Sequence, residues 1–476
     1  MESHDLICRY QLWRMSRAAP LWTLEVLVGK ATKSGAKARS MKLLIVGGGG
    51  REHALAWKLR QSPRVEAIFC APGNAGTAAL GTNVPISPND SPGLVRFARE
   101  NEIGLTVVGP DDPLGAGLVD DFEKEDLRIF GPNKSAARLE SSKIFAKQLM
   151  RHTGIPTARA GIFDETRKAS HFVEQLHYPV VIKADGLAAG KGVIIAPDPA
   201  SAMSTIEDMI DRGRFGAAGA RVLVEEFLEG WECSLHVLVS GDHHQLLGAA
   251  CDHKRLKEGN EGPNTGGMGA YSPPLDWSDG LTNQFETKII GPLLRGLRED
   301  GIHFSGLLFP GLMIREGLPH VLEFNCRFGD PETQVILPRL KGDLLPLLEA
   351  TIDGRLDNLK IELDDRAAVT VVMASAGYPG KVEAGKKISG LEACAEMPNV
   401  QVFHAGTRLE NGEILTSGGR VLAVTALGET LTEARDLAYE AVDKIRFEGC
   451  HYRRDIALAA VTHKVAASDA LSRPPN

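Results

Sequence analysis

The chain has 476 residues, 43% hydrophobic and 24% charged, with a formal net charge of −7. That composition suits a soluble globular protein of about three domains at roughly 150 residues each. It excludes a dominant nucleic-acid surface, which needs a basic face, although a local basic pocket for phosphates stays compatible with the total.

Seven cysteines, at 8, 70, 233, 251, 326, 394 and 450, are odd in number and never spaced C-x-x-C. The pattern fits reduced thiols of a cytoplasmic protein better than a disulfide scaffold or a zinc site. No run approaches the roughly 20 apolar residues needed to cross a bilayer, so no membrane partner is expected. Residues 1–40 are mildly basic and hold Trp13 and Trp22, but Glu25 interrupts their apolar stretch and no signal layout emerges. A targeting segment, a disordered arm and a start codon placed too early are all open. We favour the last, because Met41 opens a well-formed strand.

Residues 42–46 are an apolar run ending in Gly47-Gly48-Gly49-Gly50, followed by a helical pattern over 51–59. This is the strand–turn–helix opening of a doubly wound α/β domain, whose helix N-terminus offers bare N–H groups to an anion. Glu52 and His53 break every frame of G-x-G-x-x-G, so an NAD site and a dehydrogenase are weakly supported. Further strands are expected at 67–71, 105–109 and 128–131, making 41–140 one α/β unit.

A helix is predicted from Ser142, with Ile144, Phe145 and Leu149 on one face, stopping before Gly154-Ile155-Pro156. Strands follow at 180–183, 193–196 and 221–227, with the glycine-rich loop 186–192 between the first two. That loop lacks the Ser/Thr and the helix of a P-loop. The apolar run 306–313 reads as a buried strand. It leads to Glu323-Phe324-Asn325-Cys326-Arg327-Phe328-Gly329-Asp330-Pro331-Glu332. Beyond residue 365, runs at 368–374 and 420–426 alternate with turn residues. A core-packing helix then places Ala434, Leu437, Ala438, Ala441, Val442 and Ile445 on one face. Residues 466–476 form a frayed tail.

The chemistry concentrates in four segments, which together suggest an ATP-dependent ligase. Lys183 closes the apolar Pro179-Val180-Val181-Ile182 and must leave that strand for a partner; phosphate oxygens suit an ammonium there. The loop carrying Gly190, Lys191 and Gly192 can fold over phosphates, because glycine lets backbone N–H groups approach closely. Lys143 is a second candidate cation, against the plain reading of a solvated helix lysine. Glu225, Glu226 and Leu228 end a strand that can meet adenine, and Glu232 can accept from ribose hydroxyls. Two exposed acids at a strand terminus is the bland alternative. Lys254 and Arg255 precede the glycine-dense 262–269, a tightly turned or mobile loop of the kind that closes over substrate. Glu323 and Asn325 are two apart, so on a strand both side chains share one face and can reach one Mg²⁺ or Mn²⁺ ion. Arg327 is expected to join that face and bind a carboxylate bidentately. A Glu323–Arg327 ion pair is the structural alternative. Cys326 reads as a small buried residue rather than a nucleophile.

These segments, in this order, resemble the ATP-grasp ligases and, within them, the phosphoribosylamine–glycine ligases of purine biosynthesis. The resemblance runs from Met41 to about residue 462. Its most specific pieces are Gly49-Gly50-Arg51-Glu52-His53-Ala54, Ala71-Pro72-Gly73-Asn74-Ala75-Gly76-Thr77, and 182–192, 262–271 and 323–333. It implies an α/β and α+β multidomain protein. An N-terminal α/β domain spans 41–140 and an ATP-grasp domain 141–365, with a mobile lid at about 160–230. A C-terminal mixed α/β domain spans 366–465. It also implies the reaction: MgATP phosphorylates glycine, and the amine of 5-phosphoribosylamine attacks the acyl phosphate. Glu323 and Asn325 match metal ligands, and Lys143, Lys183, Glu225 and Glu232 match nucleotide contacts. Gly50, Arg51, Asn74, Gly76 and Thr77 are candidates for the ribose phosphate. Lys254, Asn264, Thr265 and Gly266 are substrate candidates, with Lys183, Arg327 and Asp330 around the reacting groups. Transient contact with neighbouring purine-pathway enzymes is a further expectation. Two departures stand out. Residues 304–314 hold no metal-binding acid, so a second ion would be held differently, and Asn260 stands where the family often has aspartate. Another ATP-grasp carboxylate–amine ligase and a non-catalytic nucleotide-binding relative are the alternatives.

Overall fold

A computed structural model describes residues 40–186 and 192–462. Residues 1–39, 187–191 and 463–476 lie outside the described residues; they include Gly190 and Lys191 and nearly all of the N-terminal extension and tail. The N-terminal unit is a five-stranded parallel sheet in the order Thr82–Asn83, Val65–Pro72, Met41–Gly47, Ile103–Val108, Ile129–Phe130. Leu43, Leu44, Ile45 and Val46 are fully buried, as expected when helices cover both faces of a parallel sheet. Strand order reverses beside Met41–Gly47. The glycine turn and the helix Gly50–Leu59 therefore stand at the topological switch point, where such sheets open a crevice.

Next comes a four-stranded antiparallel sheet, Ala160–Phe163, Val222–Glu226, Val180–Ala184, Val193–Ala196. The helices Thr166–Val173 and Pro199–Ile210 pack on it through Ala169, Val173, Ala202 and Ile206. Each of the larger of these buried apolar side chains contributes about 1.5–3 kcal/mol.

The largest sheet has eight antiparallel strands. In spatial order they are Leu318–Asn325, Ser305–Arg315, Trp231–Ser240, His243–Asp252, Gly269–Ser272, Ala367–Ala374, Arg420–Gly428 and Val400–His404. Five come from the central segment and three from the C-terminal one. The join is the pairing of Gly269–Ser272 with Ala367–Ala374, so backbone hydrogen bonds run without a break across residue 366. The helix Leu431–Val442 buries Ala434, Ala438, Ala441 and Val442 against this sheet, on the face its sequence spacing predicts. Among the described residues the six cysteines are unpaired, and no helix is long and apolar enough to cross a membrane.

Candidate functional site

The apolar strand Ser305–Arg315 runs antiparallel to Leu318–Asn325, with Gly311 opposite Glu323 and Phe309 opposite Asn325. Glu323 and Asn325 therefore lie on one face at the strand's end, as their spacing requires. Glu323 makes no side-chain hydrogen bond or ion pair among the described residues. Burial would raise its carboxyl, but Lys254, Lys183, Lys143 and Arg327 outweigh burial and hold it below its ordinary value. Asn325 donates through Nδ2 to the Phe309 carbonyl at 3.3 Å, and its Oδ1 accepts from Arg327 Nη2 at 3.3 Å.

Arg327 does not continue the strand, which ends at Asn325. Its partner is Glu140, from the short helix Arg138–Ser141, with Nη2 3.0 Å from Oε1. The strand face expected for Arg327 is thus not extended to it, and the alternative Glu323–Arg327 pair does not form either; the partner is one that local sequence does not announce. Glu140 also accepts from the Cys326 N–H at 2.7 Å, tying the acidic motif to the domain junction. Burial pushes the Glu140 carboxyl up, against the pull of Arg327. Burial would lower the Arg327 guanidinium, but Glu140 and Asp111 push it further up. The two directions oppose each other; the 3.0 Å contact and the backbone N–H favour the ionised pair. Cys326 is buried and its thiol is pushed well up, chiefly by burial, which disfavours the nucleophilic thiolate. Beneath Arg327, the His236 ring stacks on Phe309 at 4.8 Å and accepts from the Gly329 N–H at 2.8 Å.

Lys183 is the last residue but one of its strand, at 6% exposure. Its Nζ lies 2.6 Å from Glu225 Oε2 and donates to the Leu322 carbonyl at 2.9 Å. Glu225, read from sequence as a nucleotide contact, is 3% exposed and its carboxylate is held between Lys183 and Lys147. Glu226 accepts from the Arg159 N–H, and Leu228 is buried beside Met313. Lys143 caps the other wall, donating to the Gly186 carbonyl at 3.1 Å. Lys254 Nζ lies 3.0 Å from Glu232 Oε2. Burial would lower its ammonium, but Asp252, Glu232 and Glu323 raise it well above the ordinary lysine value. Close by, burial and then the Asp252 charge push the Glu332 carboxyl up to about 8.

The segment 262–269 is the tightly turned one of the two expected forms. Arg255–Lys257 and Glu261–Asn264 pair as a hairpin, turning through Gly259 (φ 67°) and Asn260 (φ 57°). Asparagine, like aspartate, tolerates that left-handed backbone, and its Oδ1 accepts from Arg453 at 3.1 Å. Thr265 donates to the Lys254 carbonyl, and Gly266 is fastened by Tyr378 and Arg420 of the C-terminal segment. Asn264 stands opposite Arg255 in the hairpin.

At the N-terminal crevice, Glu52 accepts from the Gly49 N–H at 2.6 Å and from Arg51 Nε at 2.6 Å. The helix end that the sequence offers to an anion is thus partly occupied by its own carboxylate. Arg51 reaches the Phe328 carbonyl at 3.2 Å. Asn74 donates to the Gly48 and His404 carbonyls and accepts from the Gly76 and Thr77 N–H groups. Thr77 donates to Asn83. Their polar atoms close the loop on itself, so Asn74 and Thr77 shape the crevice rather than present free groups to it. Gly76 has no room for a Cβ, which would meet His53 Cε1 at 2.2 Å. Asp330 pairs with Arg420 Nη2 at 2.9 Å; burial would raise its carboxyl, but Arg420 and Arg51 hold it below the usual range.

The structure therefore brings Lys143, Lys183, Lys254 and Arg327 within electrostatic reach of Glu323, with Asn325 bonded to Arg327. Asp330 stands by the N-terminal crevice, where Arg51 acts on its charge and a Cβ at Gly50 would lie 3.8 Å from its Oδ1. Sequence reasoning missed Glu140, Lys147, His236, Asp252 and Arg420. Only Lys147 left a local signal, since it falls on the apolar stripe of its helix, three residues from both Ile144 and Met150.

Comparison with known proteins matches this arrangement along the chain. Profiles of the phosphoribosylglycinamide synthetase N domain, ATP-grasp (A) domain and C domain match residues 41–140, 141–333 and 368–459. The phosphoribosylamine–glycine ligase of Allochromatium vinosum is 52% identical over 427 residues, covering 89% of this chain and 100% of that protein. A crystal structure of phosphoribosylamine–glycine ligase from Thermotoga maritima, 34% identical, superposes with a TM-score of 0.77 over 87% of this chain and 100% of that one. The biotin carboxylase domain of the Hydrogenobacter thermophilus 2-oxoglutarate carboxylase, solved with MgADP and bicarbonate, shares the fold. It is 15% identical with a TM-score of 0.67, covering 87% of this chain and 92% of that one. The chain belongs to the phosphoribosylglycinamide synthetase family.

Proposed function

We propose that this chain is an ATP-dependent ligase that joins glycine to 5-phosphoribosylamine. Glycine's carboxylate attacks the γ-phosphorus, giving glycyl phosphate and ADP. The amine then attacks the acyl carbon, phosphate departs with the bonding electrons, and nitrogen loses a proton to leave the amide. A free carboxylate is a poor electrophile, whereas the acyl phosphate carries a good leaving group. The protein's work is positioning and charge neutralisation, with no covalent nucleophile required.

One observation carries the reading: Glu323 is an ionised carboxylate with no committed partner, facing Lys143, Lys183, Lys254 and Arg327. Its oxygens and Asn325 Oδ1 suit a hard cation, and no group of three or more His, Cys, Asp or Glu among the described residues offers a closed metal cage. A two-donor site fits Mg²⁺, which keeps waters and shares phosphate oxygens. When bound, the ion supplies neutralisation of the triphosphate.

Lys183 and Lys143 then hold phosphate oxygens, with Gly192 beside them. Glu226, Leu228 and Glu232 line the nucleotide end, Glu225 acting through Lys183. Arg327 and Asp330 orient glycine and the acyl phosphate. Lys254, Asn264, Thr265 and Gly266 form the floor beneath them. Gly50, Arg51, Asn74, Gly76 and Thr77 frame the crevice assigned to the ribose phosphate. A cytoplasmic setting, read from the scattered and odd-numbered cysteines of the sequence, and short-lived contact with enzymes of adjoining steps belong to the same reading.

The test is ADP release dependent on both glycine and phosphoribosylamine, in wild type and Glu323→Ala. Loss of turnover by at least about a hundredfold is expected, as for removal of a charge-stabilising group. Near-normal turnover in the variant would overturn the metal assignment; indifference to glycine would overturn the substrate.

A further inference from the structure

Lys147 is 1% exposed on the inner face of the helix Lys143–Thr153, and the reaction as written gives it no part. Its ammonium meets three oxygens: Thr157 Oγ1 at 2.7 Å, the Ala158 carbonyl at 3.2 Å and Glu225 Oε1 at 2.5 Å. Thr157 spends its own proton on the Val321 carbonyl at 2.6 Å, so toward Lys147 it can only accept. Thr157 and Ala158 accept from it and Glu225 stands against it as an ion-pair partner; burial lowers its proton affinity, but a nitrogen that meets only acceptors and a carboxylate is held as the charged ammonium.

The second oxygen of Glu225 belongs to Lys183, at 2.6 Å. Lys183 also donates to Leu322, in the strand that carries Glu323, and its third N–H has no acceptor among the described residues. Two ammonium groups thus share one carboxylate, leaving one positive charge in a site where all three residues are buried. Counting Glu323, which faces both Lys183 and Lys143, three lysines meet two carboxylates here, so one positive charge is still left over and the site suits an anion. Because Lys147 already neutralises Glu225, the charge of Lys183 remains available to that anion. Without Lys147, Glu225 and Lys183 would close as a neutral pair.

We propose that Lys147 is a positioning residue for the triphosphate, balancing Glu225 from behind so that Lys183 meets phosphate oxygens with its full charge. The inference rests on the reading of Lys183 as a phosphate contact, and the experiment separates the two. The full-length protein is titrated calorimetrically with a non-hydrolysable ATP analogue plus Mg²⁺, and separately with adenosine. Wild type, Lys147→Met, Lys147→Met/Glu225→Gln and Lys183→Met are compared.

Lys147→Met should bind the analogue about ten- to a hundredfold more weakly, the worth of one charge-assisted contact, with adenosine affinity unchanged. Adding Glu225→Gln leaves Lys183 as the lone charge and should return affinity to within about fivefold of wild type. A role in packing alone would not be restored by that second change. The proposal is overturned if Lys147→Met loses less than about fivefold, or if the double variant stays more than about fivefold below wild type. Should Lys147→Met not fold, the double variant against wild type decides by the same threshold. If Lys183→Met binds like wild type, the phosphate reading of Lys183 itself falls. If Lys183→Met weakens binding and Lys147→Met does not, only the role of Lys147 falls.

Discussion

Arg327 illustrates how a fold holds a buried charge. Glu140 and Asn325 take one edge of its guanidinium, Phe309 lies 5.7 Å beneath, and its buried Nε has no hydrogen-bond partner. The fork is aimed by protein groups but not fully satisfied by them, in keeping with the anionic ligand proposed for it. Removing the counter-charge should be expensive, because a buried guanidinium would lose its compensation. Glu140→Gln is predicted to lower stability by about 2–4 kcal/mol in urea unfolding at neutral pH. An unchanged midpoint would show that the pair contributes no net stability.

The helix Lys143–Thr153 carries two lysines of the proposed nucleotide side, Lys143 at its first position and Lys147 on its buried face. Ser142 caps it, accepting from the Phe145 N–H at 3.1 Å, and donates to Asp185 at 2.8 Å. Asp185 in turn receives the Ile144 N–H and pairs with Arg221, so helix start and glycine loop share one anchor. Ser142→Ala should cost about 1 kcal/mol of stability as a lost cap, read from thermal or urea unfolding. Cα–H or apolar contacts do not replace an N-terminal acceptor, so a neutral result would locate the capping elsewhere. The C-terminal strand Arg420–Gly428 plays a comparable part at the other end. Its first residue joins Asp330 to Gly266 and so fastens two loops of the candidate site.

At the scale of the whole molecule, buried neutral histidines make stability depend on pH. Burial lowers His236 to about 3, helped by the Arg327 charge, and burial lowers His404 to about 4. Unfolding lets each regain an ordinary affinity for protons near pH 6.5. The stabilisation is therefore complete above that value and lost as pH falls toward the folded values. Each costs about 1.4 kcal/mol per pH unit within that window. His404→Gln should accordingly lose about 2 kcal/mol less than wild type between pH 7 and pH 5, measured by urea unfolding at both. Equal losses would mean that His404 keeps its proton affinity in the folded chain.

Much of this architecture was readable from residues in order. Apolar runs placed the strands Met41–Gly47, Val193–Ala196 and Ser305–Arg315 to within a few residues, because burial on a sheet leaves a short-range pattern. The spacing of Glu323 and Asn325 set them on one face, since side chains alternate along any strand. Pairings were a different matter. The choice of Glu140 for Arg327, of Lys147 for Glu225 and of Arg420 for Asp330 spans tens to hundreds of residues; Glu140 and Cys326, for example, lie 186 apart. Nor did any local pattern show that five central strands and three C-terminal ones share a sheet. Periodicity records which way a side chain points, through the geometry of its own element. Which opposite charge waits there depends on how elements pack, and that is settled only by the folded chain as a whole.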